Sequence, residues 1–420
     1  MRVLLLFFLL LLTACTPEVP VTDQERLASL TPYLSPIRSI DPTDDDFSDL
    51  QPVKDILKDK SIVLLGEQSH GDGATFQAKI RLIRFLHREM GFSALVMESG
   101  LADCELAERA MNGGIPAWDA MSHSVFDIWT GSRQVQPLFA LIDSARQAGN
   151  PIRLAGMDLQ ITGSFGRDSL NLVLNRYFRS QSLPDTLTRP VLSVVDSMLI
   201  HKRPAKKVSD QAADRFQVSA QHVLTLTAAD SLRWERQVLK SFLTFFRFSR
   251  LADFNKPDPA IFNLRDQQMA DNLNWLIKSG LKGRKIMVWA ASSHLSRNRH
   301  LLMGRQDPDT AMIPMGHLLW QMHGEKVYCL GFSAGDGKVA IRDRIFWDLA
   351  FPQPGSLESV LMASPGRHLW LDFSSLPDGH WLHQPLRARP YGYSVMTGKW
   401  TGMMDGLFFI RTMTPSTGIH

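Results

Sequence analysis

The sequence predicts an α/β fold, in which helices flank a central, mainly parallel β-sheet and a helical subdomain is inserted into the chain. Short, continuous apolar segments recur along the chain, and such segments are typical of strands buried on both faces. A segment with helical spacing separates the first two of them. A long middle region shows helical periodicity only. We therefore predict one α/β domain over residues 56–415, with a helical insertion at about residues 165–262.

The N-terminus predicts export and a lipid anchor. Arg2 precedes an apolar segment at residues 3–12, which is too short to span a bilayer as a helix and suits a signal peptide. Small residues then lead to Cys15, as in a lipoprotein signal cleaved after residue 14. Acyl chains on Cys15 would hold the protein at a membrane of the cell envelope. The alternative is an ordinary cleaved signal peptide with an incidental cysteine.

Composition narrows the range of partners. Residues 15–55 carry several prolines and the acidic segment 44–46, so we expect a tether and a lead-in helix there. The net charge is only +4, and basic and aromatic residues do not cluster, so no nucleic-acid partner is expected. Past Cys15 the chain has only Cys104 and Cys329, which form neither a disulfide framework nor a zinc motif. We expect no metal and no other cofactor.

The regular pattern begins with a predicted strand at residues 61–66. Residues 74–90 place apolar side chains at helical spacing, and residues 94–98 form the second strand. Strand, helix and strand over this length predict a βαβ unit with parallel strands and a right-handed crossover. Further strands are predicted at residues 152–158, 285–290, 326–331, 369–373 and 406–410, and a helix at residues 263–276 returns the chain from the insertion to the sheet.

Polar side chains follow four of the predicted strands. Glu67 and His70 follow the first strand, Glu98 ends the second, Asp158 ends the third and His294 follows the fourth. Ligands of open α/β sheets bind at the carboxyl ends of the strands, so we expect these five residues to form one site. Any one of them alone could equally be a solvated turn residue or a helix cap.

His70 is the predicted general base. It lies at the start of the 74–90 helix, whose partial positive charge disfavours a charged imidazole, and a base must be neutral. Glu67 is placed to accept a hydrogen bond from the other ring nitrogen. Asp72, between two glycines, is predicted to cap the helix, and His87 is predicted to be structural.

Seven motifs occur in the order in which the erythromycin esterase family has them, and over residues 60–410 the chain resembles that family. They are Leu65–Gly71 (LGEQSHG), Gly91-Phe92 followed by Glu98, Gly156–Asp158, Arg265–Leu273 (RDQQMADNL), Trp289–His294 (WAASSH), Met315-Gly316 and Met404–Phe408 (MDGLF).

The resemblance implies a metal-independent hydrolase that attacks a macrolactone ester with a histidine-activated water, and hence antibiotic inactivation. It implies that His70 is the base and Glu67 its orienting partner. Glu98 and His294 would complete the polar site, where they would hold water or the ester oxygens. Trp129 resembles the family's pocket tryptophan, although a core tryptophan is an equal interpretation. The expected partner is a small-molecule ester or lactone.

Two departures from the family pattern concern the residues around the base. Lys79 stands where the family commonly has arginine, and Ala291 and Ser292 replace a histidine and an asparagine. Lysine can still stabilise an oxyanion as a point charge, although it lacks the bidentate fork of arginine. The residues predicted to bind substrate are Lys79, Trp129 and Asp158. The departures favour ester hydrolysis in general over macrolide hydrolysis in particular.

Other functions remain open at this point. Gly331–Gly335 matches the G-x-S-x-G motif of serine hydrolases, but that motif requires a helix after Ser333, and residues 338–341 predict a strand beyond a hairpin. A metallohydrolase would use His70, His294 and the carboxylates as ligands. A haem-binding lipoprotein of related fold would need an axial ligand, for which the candidates are His123, His317, His380 and His383. A scaffold role would leave His70 without a function.

Overall fold

The computed structural model describes residues 21–304, 309–341 and 346–419. The predicted signal peptide and Cys15 lie outside the described residues. The strands are β1 Leu34–Ile37, β2 Ile62–Glu67, β3 Phe92–Gly100, β4 Arg153–Asp158, β5 Lys285–Ala291, β6 Leu302–Met303, β7 Val327–Ala340, β8 Phe346–Leu349, β9 His368–Asp372, β10 Leu386–Ala388, β11 Met396–Gly398 and β12 Gly406–Met413.

The helices lie between these strands along most of the chain. They are α1 Asp23–Leu30, α2 Gln51–Leu57, α3 Gly73–Met90, α4 Leu101–Asn112, α5 Ala117–Ser122, α6 Asp127–Thr130, α7 Gln136–Gln147, α8 Ser164–Ser180, α9 Asp185–Leu199, α10 Asp210–Leu226, α11 Trp234–Leu251, α12 Pro259–Lys278, α13 Ser292–Leu295, α14 Met315–His323 and α15 Leu357–Met362. Among the described residues, none of the helices combines the length and the apolar character needed to cross a bilayer.

The main sheet has the strand order β1-β9-β12-β7-β2-β5-β3-β4, with β8 paired to β7. The six strands from β12 to β4 run parallel to one another, whereas β1, β8 and β9 pair in antiparallel fashion. The predicted α/β fold with a mainly parallel sheet is therefore confirmed. Register places Glu67 of β2 opposite Ala291 of β5, and Trp289 of β5 opposite Met97 of β3. The carboxyl ends of β2, β5 and β3 consequently lie side by side.

The central strands are apolar because helices cover both faces of the sheet. Along β2, Leu64 packs into the core on one face, while Val63 and Leu65 pack into the core on the other. All six residues of β2 are buried, as expected for a parallel strand in the middle of a sheet. Helix α3 ends at Gly91, whose φ of 72° is the left-handed conformation that glycine adopts without strain.

The described part of the predicted tether is folded into this domain. Strand β1 pairs with β9 at the edge of the main sheet, where Pro36 is tolerated because an edge strand need not donate every ladder hydrogen bond. Leu27 and Leu30 of α1 are buried. The acidic segment is likewise engaged, since Asp45 forms an ion pair with Arg84 of α3. The α/β domain therefore begins well before residue 56.

The middle of the chain is helical as predicted, but one helix and one strand differ in length from the prediction. Helices α8 to α11 occupy the region of the predicted helical insertion, and the returning helix α12 is longer than the predicted 263–276. Strand β7 runs unbroken from Val327 to Ala340, whereas the sequence indicated a strand, a hairpin and a second strand. Parallel pairing with β12, from Leu330 opposite Gly406 to Gly337 opposite Met413, keeps the glycine-rich segment extended.

Candidate active site

Glu67 is a fully buried carboxylate at the carboxyl end of β2. Its Oε1 accepts hydrogen bonds from His70 Nδ1 at 3.0 Å and Trp129 Nε1 at 2.9 Å, and its Oε2 accepts one from Lys79 Nζ at 2.5 Å. Burial alone would raise the pKa of Glu67, but the Lys79 cation and the His70 hydrogen bond hold it below its ordinary value. Glu67 is therefore an ionised acceptor that fixes three side chains around it.

His70 lies in the loop between β2 and α3, and 37% of its side chain is exposed. Because an ionised carboxylate only accepts hydrogen bonds, Nδ1 carries the proton and Nε2 presents its lone pair. Among the described residues, no group bonds to Nε2. Burial lowers the pKa of His70, but Glu67 and Glu98 outweigh it and raise the pKa above the ordinary value. The predicted depression by the helix end is thus wrong in sign, because two carboxylates act more strongly.

Asp72 and Tyr393 hold the His70 loop. Asp72 Oδ2 accepts a hydrogen bond from the Ser69 amide at 2.8 Å, and Asp72 Oδ1 accepts one from the Tyr393 hydroxyl at 3.0 Å. The same hydroxyl accepts a hydrogen bond from Gln68 Nε2 at 2.9 Å. Tyr393 has a φ of 59°, an uncommon conformation for a bulky residue. Asp72 precedes α3, yet its carboxylate binds the loop rather than the helix, so the predicted helix cap is corrected.

The C-terminal segment, residues 414–419, joins this loop to the residues that follow α6, the helix that carries Trp129. The Ser416 amide donates to Gly71 O at 2.9 Å, and the Arg133 amide donates to Thr417 O at 2.8 Å. A Cβ on Gly73 would lie 2.4 Å from Pro415 O, so glycine is required for this close approach. Both donors to Glu67 Oε1, from His70 and Trp129, are therefore positioned by one segment. This segment carries no sequence motif, so it was not predicted to belong to the site.

Glu98 begins a second group of charges at the end of β3. Its Oε1 accepts a hydrogen bond from Arg265 Nη2 at 2.9 Å, and its Oε2 accepts one from the Ala291 amide at 2.9 Å. Ala291 pairs with Glu67 across the sheet, so Glu98 reaches over β5 towards the first group. Burial would raise the pKa of Glu98, but His294 and Arg265 lower it.

Arg265 of α12 is the centre of this second group. Besides Glu98, it binds Asp158 Oδ2 at 2.5 Å through Nη2 and His294 Nε2 at 3.1 Å through Nη1. Burial lowers the pKa of Arg265, but Asp158 and Glu98 outweigh it and raise the pKa further. In the sequence, Arg265 was recognised only as part of a motif and was not predicted to have a role in the site. Two carboxylates at strand ends with no assigned cation were the signal that could have identified it.

His294 of α13 has both ring nitrogens engaged. Nδ1 lies 2.9 Å from Asp266 Oδ1, and Nε2 faces Arg265 and, at 3.4 Å, Glu98 Oε1. Asp266 Oδ1 also accepts a hydrogen bond from the Met315 amide at 2.9 Å. The glycine of the Met-Gly motif is required for packing, because a Cβ on Gly316 would lie 1.8 Å from Leu295 O. Burial lowers the pKa of His294, but Asp266 and Glu98 raise it above the ordinary value.

The structure thus pairs Glu67 with His70 and Glu98 with His294, and the charge of Glu98 acts on His70. The three predicted substrate-binding residues lie behind this site. Lys79 and Asp158 are 0% exposed and Trp129 is 1% exposed, so none of them offers surface to a ligand in this structure. Their contact with substrate stays a prediction, because sequence spacing does not separate a side chain that lines a site from one that supports it from behind.

Ser333, the serine of the G-x-S-x-G match, lies within β7 and is fully buried. Its hydroxyl donates to Glu358 Oε1 at 2.6 Å, so the segment is not a nucleophile elbow. Ser292, at the family's asparagine position, donates to Gly66 O at 2.8 Å and packs between strands. Within residues 21–304, 309–341 and 346–419, no three histidine, cysteine or carboxylate side chains converge as metal ligands.

The four histidines considered for haem contact other groups. His123 Nδ1 lies 2.9 Å from Ser164 Oγ, and His383 Nδ1 lies 3.0 Å from Thr401 Oγ1. His317 Nδ1 accepts a hydrogen bond from the Asn298 amide, and His380 Nδ1 accepts one from the Leu382 amide.

Comparison with known proteins gives matches over most of the chain. The sequence model of the erythromycin esterase family matches residues 87–412. YbfO of Bacillus subtilis (strain 168), which carries the name of a hydrolase, is 25% identical over 402 residues, covering 88% of this chain and 87% of YbfO. Erythromycin esterase type II of Escherichia coli is 21% identical over 416 residues, covering 90% of this chain and 95% of that protein. Among solved structures, this chain superposes on a mutant of the erythromycin esterase EreC in its open conformation with a TM-score of 0.68. The two sequences are 15% identical, and the match covers 92% of this chain and 99% of the EreC chain.

Proposed function

Because the chain belongs to the erythromycin esterase family, which makes it a hydrolase, we propose that it adds water to the carbonyl carbon of a carboxylic ester or macrolactone. The observation that carries the proposal is the state of His70. One of its ring nitrogens is fixed by a buried, ionised carboxylate, the other bonds to none of the described residues, and 37% of the side chain is exposed. This is the arrangement that a general base needs.

The reaction follows from that arrangement. Nε2 of His70 takes a proton from a water molecule as its oxygen bonds to the ester carbon, which gives a tetrahedral oxyanion. Glu67 stabilises the imidazolium that forms, in the way a buried carboxylate does in catalytic triads. Collapse of the oxyanion breaks the carbon–oxygen bond to the leaving alcohol, and His70 returns the proton to that oxygen. An ester gives one carboxylic acid and one alcohol, and a macrolactone gives a single ring-opened hydroxy acid.

Glu98, Arg265 and His294 form the second group of charges at the same edge of the sheet, and the charge of Glu98 acts on His70. Arg265 is held on several sides by Glu98, Asp158 and His294, so its guanidinium has little freedom. Preorganised dipoles and charges of this kind need no rearrangement as the reaction proceeds. Their proposed role is to orient the water or the ester oxygens beside Nε2.

The test is a screen of purified protein against macrolactones and simple esters, followed by mass for the addition of one water. On any accepted ester, His70→Ala should lower turnover by ~10²–10⁴-fold, the usual loss on removal of a general base. Glu67→Ala should cause a substantial part of the same loss. His222→Ala, at an exposed position on α10, is the matched control and should behave as wild type. Wild-type turnover in both site variants would refute the proposal.

The proposed location is a membrane of the cell envelope, through lipid on Cys15. The signal-like segment at residues 1–14 supports this proposal. The full-length protein should partition into the detergent phase of a phase-separating detergent, and Cys15→Ser should move it to the aqueous phase. Equal partitioning of the two proteins would contradict the anchor.

A further inference from the structure

The helical insertion contains a cavity of about 450 Å³ whose lining includes none of the site residues described above. Its walls come from the loop after β4 (residues 161–163), from the end of α9 and the turn that follows it (residues 198–205), and from Phe245 and Ser249 of α11. A cavity of this size lies within the range of small-molecule binding sites, which are mostly apolar with a few placed polar groups.

The lining of this cavity has two parts. Ile161, Met198, Leu199 and Phe245 supply apolar surface, while Arg167, Lys202 and Arg203 supply positive charge, and no acidic residue lines it. Within the described residues, the side chains of Lys202 and Arg203 form no hydrogen bond or ion pair. Within the described residues, the Arg167 side chain pairs with its neighbour Asp168, and an exposed pair of this kind contributes little. The positive charge is therefore available to a ligand.

The turn that carries the cations is fixed at both ends. Lys202 has a φ of 50°, in the left-handed region, and the Arg203 amide donates to Ser197 O at 2.9 Å, which closes the turn onto α9. Lys206 Nζ then donates to Ala252 O at 2.7 Å, just after α11. A turn held in this way fixes the backbone positions from which the exposed side chains of Lys202 and Arg203 extend.

We propose that this cavity binds an amphipathic anion, a molecule with an apolar chain or ring and one carboxylate or phosphate group. The apolar part would cover Met198, Leu199 and Phe245, and the anion would form charge-assisted hydrogen bonds with Lys202 and Arg203. A free fatty acid or alkyl phosphate and the headgroup of an anionic phospholipid share this chemistry. The proposal is independent of the ester hydrolysis proposed above, because no residue of the hydrolytic site takes part.

The experiment is a calorimetric titration of the purified protein with laurate, dodecyl phosphate and dodecanol, which share one chain length. Laurate or dodecyl phosphate should bind with at least tenfold lower Kd than dodecanol. A parallel arm compares phosphatidylglycerol vesicles with phosphatidylcholine vesicles. Binding in the first arm identifies a free anion as the source, and binding only to phosphatidylglycerol identifies a headgroup. Both outcomes support the proposal, whereas binding in neither arm, or equal binding of laurate and dodecanol, overturns it.

Variants then locate the binding site. Lys202→Gln combined with Arg203→Gln should raise the Kd about tenfold or more, since each hydrogen bond to a charged group contributes more than a neutral one. Ser249→Trp, which leaves both cations in place and fills the cavity, should abolish binding. Lys207→Gln is the matched control, because this lysine lies near the same turn but outside the lining. Unchanged Kd in the first two variants would refute the assignment.

Discussion

The candidate site has two halves, and the histidine of each half has a different pattern of hydrogen bonds. We call Glu67, His70, Lys79 and Trp129 the Glu67 half, and Glu98, Asp158, Arg265, Asp266 and His294 the Arg265 half. In the Glu67 half one carboxylate accepts three hydrogen bonds, and the histidine keeps one nitrogen free. In the Arg265 half one cation serves two carboxylates, and the histidine has both nitrogens engaged.

The difference indicates how the two halves divide the chemistry. The charges of Glu67 and Lys79 compensate each other, and both side chains are fully buried. His70 is partly exposed and has a ring nitrogen that can accept a proton. Three carboxylates surround Arg265 and His294, so that half is rich in negative charge and tightly held. The Glu67 half is suited to accept a proton. The Arg265 half is suited to orient polar groups of a ligand, and its carboxylate Glu98 raises the pKa of His70.

The largest expected effect concerns the buried ion pair of the Glu67 half. Lys79→Met would leave the fully buried Glu67 without its cation, because both side chains are 0% exposed. Loss of one partner of a buried pair typically costs about 3–5 kcal/mol. We expect the free energy of unfolding to fall by about that amount in urea denaturation, with loss of activity at the assay temperature.

Lys54→Met is the matched control for this change. Lys54 pairs with Glu89 at 3.4 Å, but both side chains are well exposed, so the expected cost is below about 1 kcal/mol. If Lys79→Met were as stable as Lys54→Met, the Glu67 half would not depend on charge compensation, and the contrast between the halves would fail.

The next effect concerns how His70 is supported, since His70 stands on a loop and His294 on a helix. Tyr393→Phe removes the hydroxyl that donates to Asp72 and accepts from Gln68 on either side of His70. Burial raises the pKa of Asp72 to about 7, so this carboxyl is only partly ionised near neutral pH. Leaving a buried acceptor without its donor costs about 1–3 kcal/mol, so we expect kcat/KM to fall by roughly tenfold, mainly through kcat. Steady-state kinetics on an accepted ester measure this split.

Tyr391→Phe tests whether that loss is specific. Tyr391 lies two residues away and is buried, and its hydroxyl interacts with Ser296 and not with the His70 loop. Its loss should leave kcat within about twofold, because no hydrogen bond to the His70 loop is removed. Equal losses in the two variants would mean that Tyr393 acts through general packing and not through Asp72.

Sequence patterns predicted one half of the site better than the other. Glu67 and His70 are three residues apart in one loop, so their contact was readable from the chain. The Arg265 half draws on β3, β4, α12 and α13, and its contacts depend on how a helix from a distant segment packs on the sheet. Spacing could place Glu98, Asp158 and His294 at strand ends, but it could not place Arg265 between them.

The fold shows the same division between local and distant information. The buried central strands were predicted because both faces must be apolar, and β2 is buried at every position. The short edge strand β1 was missed, because four residues with a central proline give no alternation to detect. The glycines of β7 suggested a hairpin, and only pairing with β12 keeps that segment extended.

A smaller effect tests whether the halves are coupled electrically. Glu67 and Glu98 raise the pKa of His70, so the acid limb of the pH profile of kcat/KM should lie above the ordinary histidine value of 6.5. Activity falls as the pH drops through this limb, because the protonated imidazole cannot accept a proton. Glu98→Gln removes one negative charge that favours the imidazolium, so its limb should move to lower pH, whatever its maximal rate.

Glu105→Gln is the control for the coupling. This glutamate of α4 pairs with Arg109 and Arg153 and contacts no site residue, so its variant should keep the wild-type limb. A limb that stays in place in Glu98→Gln would show that the two halves act independently.

The smallest effect on activity is expected outside both halves, at Ser333. Its hydroxyl is buried in β7 and donates to Glu358 Oε1, which also accepts a hydrogen bond from the Arg389 amide at 2.9 Å. Ser333→Ala removes one of two partners of a buried carboxyl, so the free energy of unfolding should fall by about 1–3 kcal/mol while turnover stays within twofold of wild type. Denaturation and kinetics on the same preparation separate the two quantities. Loss of turnover in a stably folded Ser333→Ala protein would instead point to serine nucleophile chemistry, and neither histidine would then be the primary catalytic group.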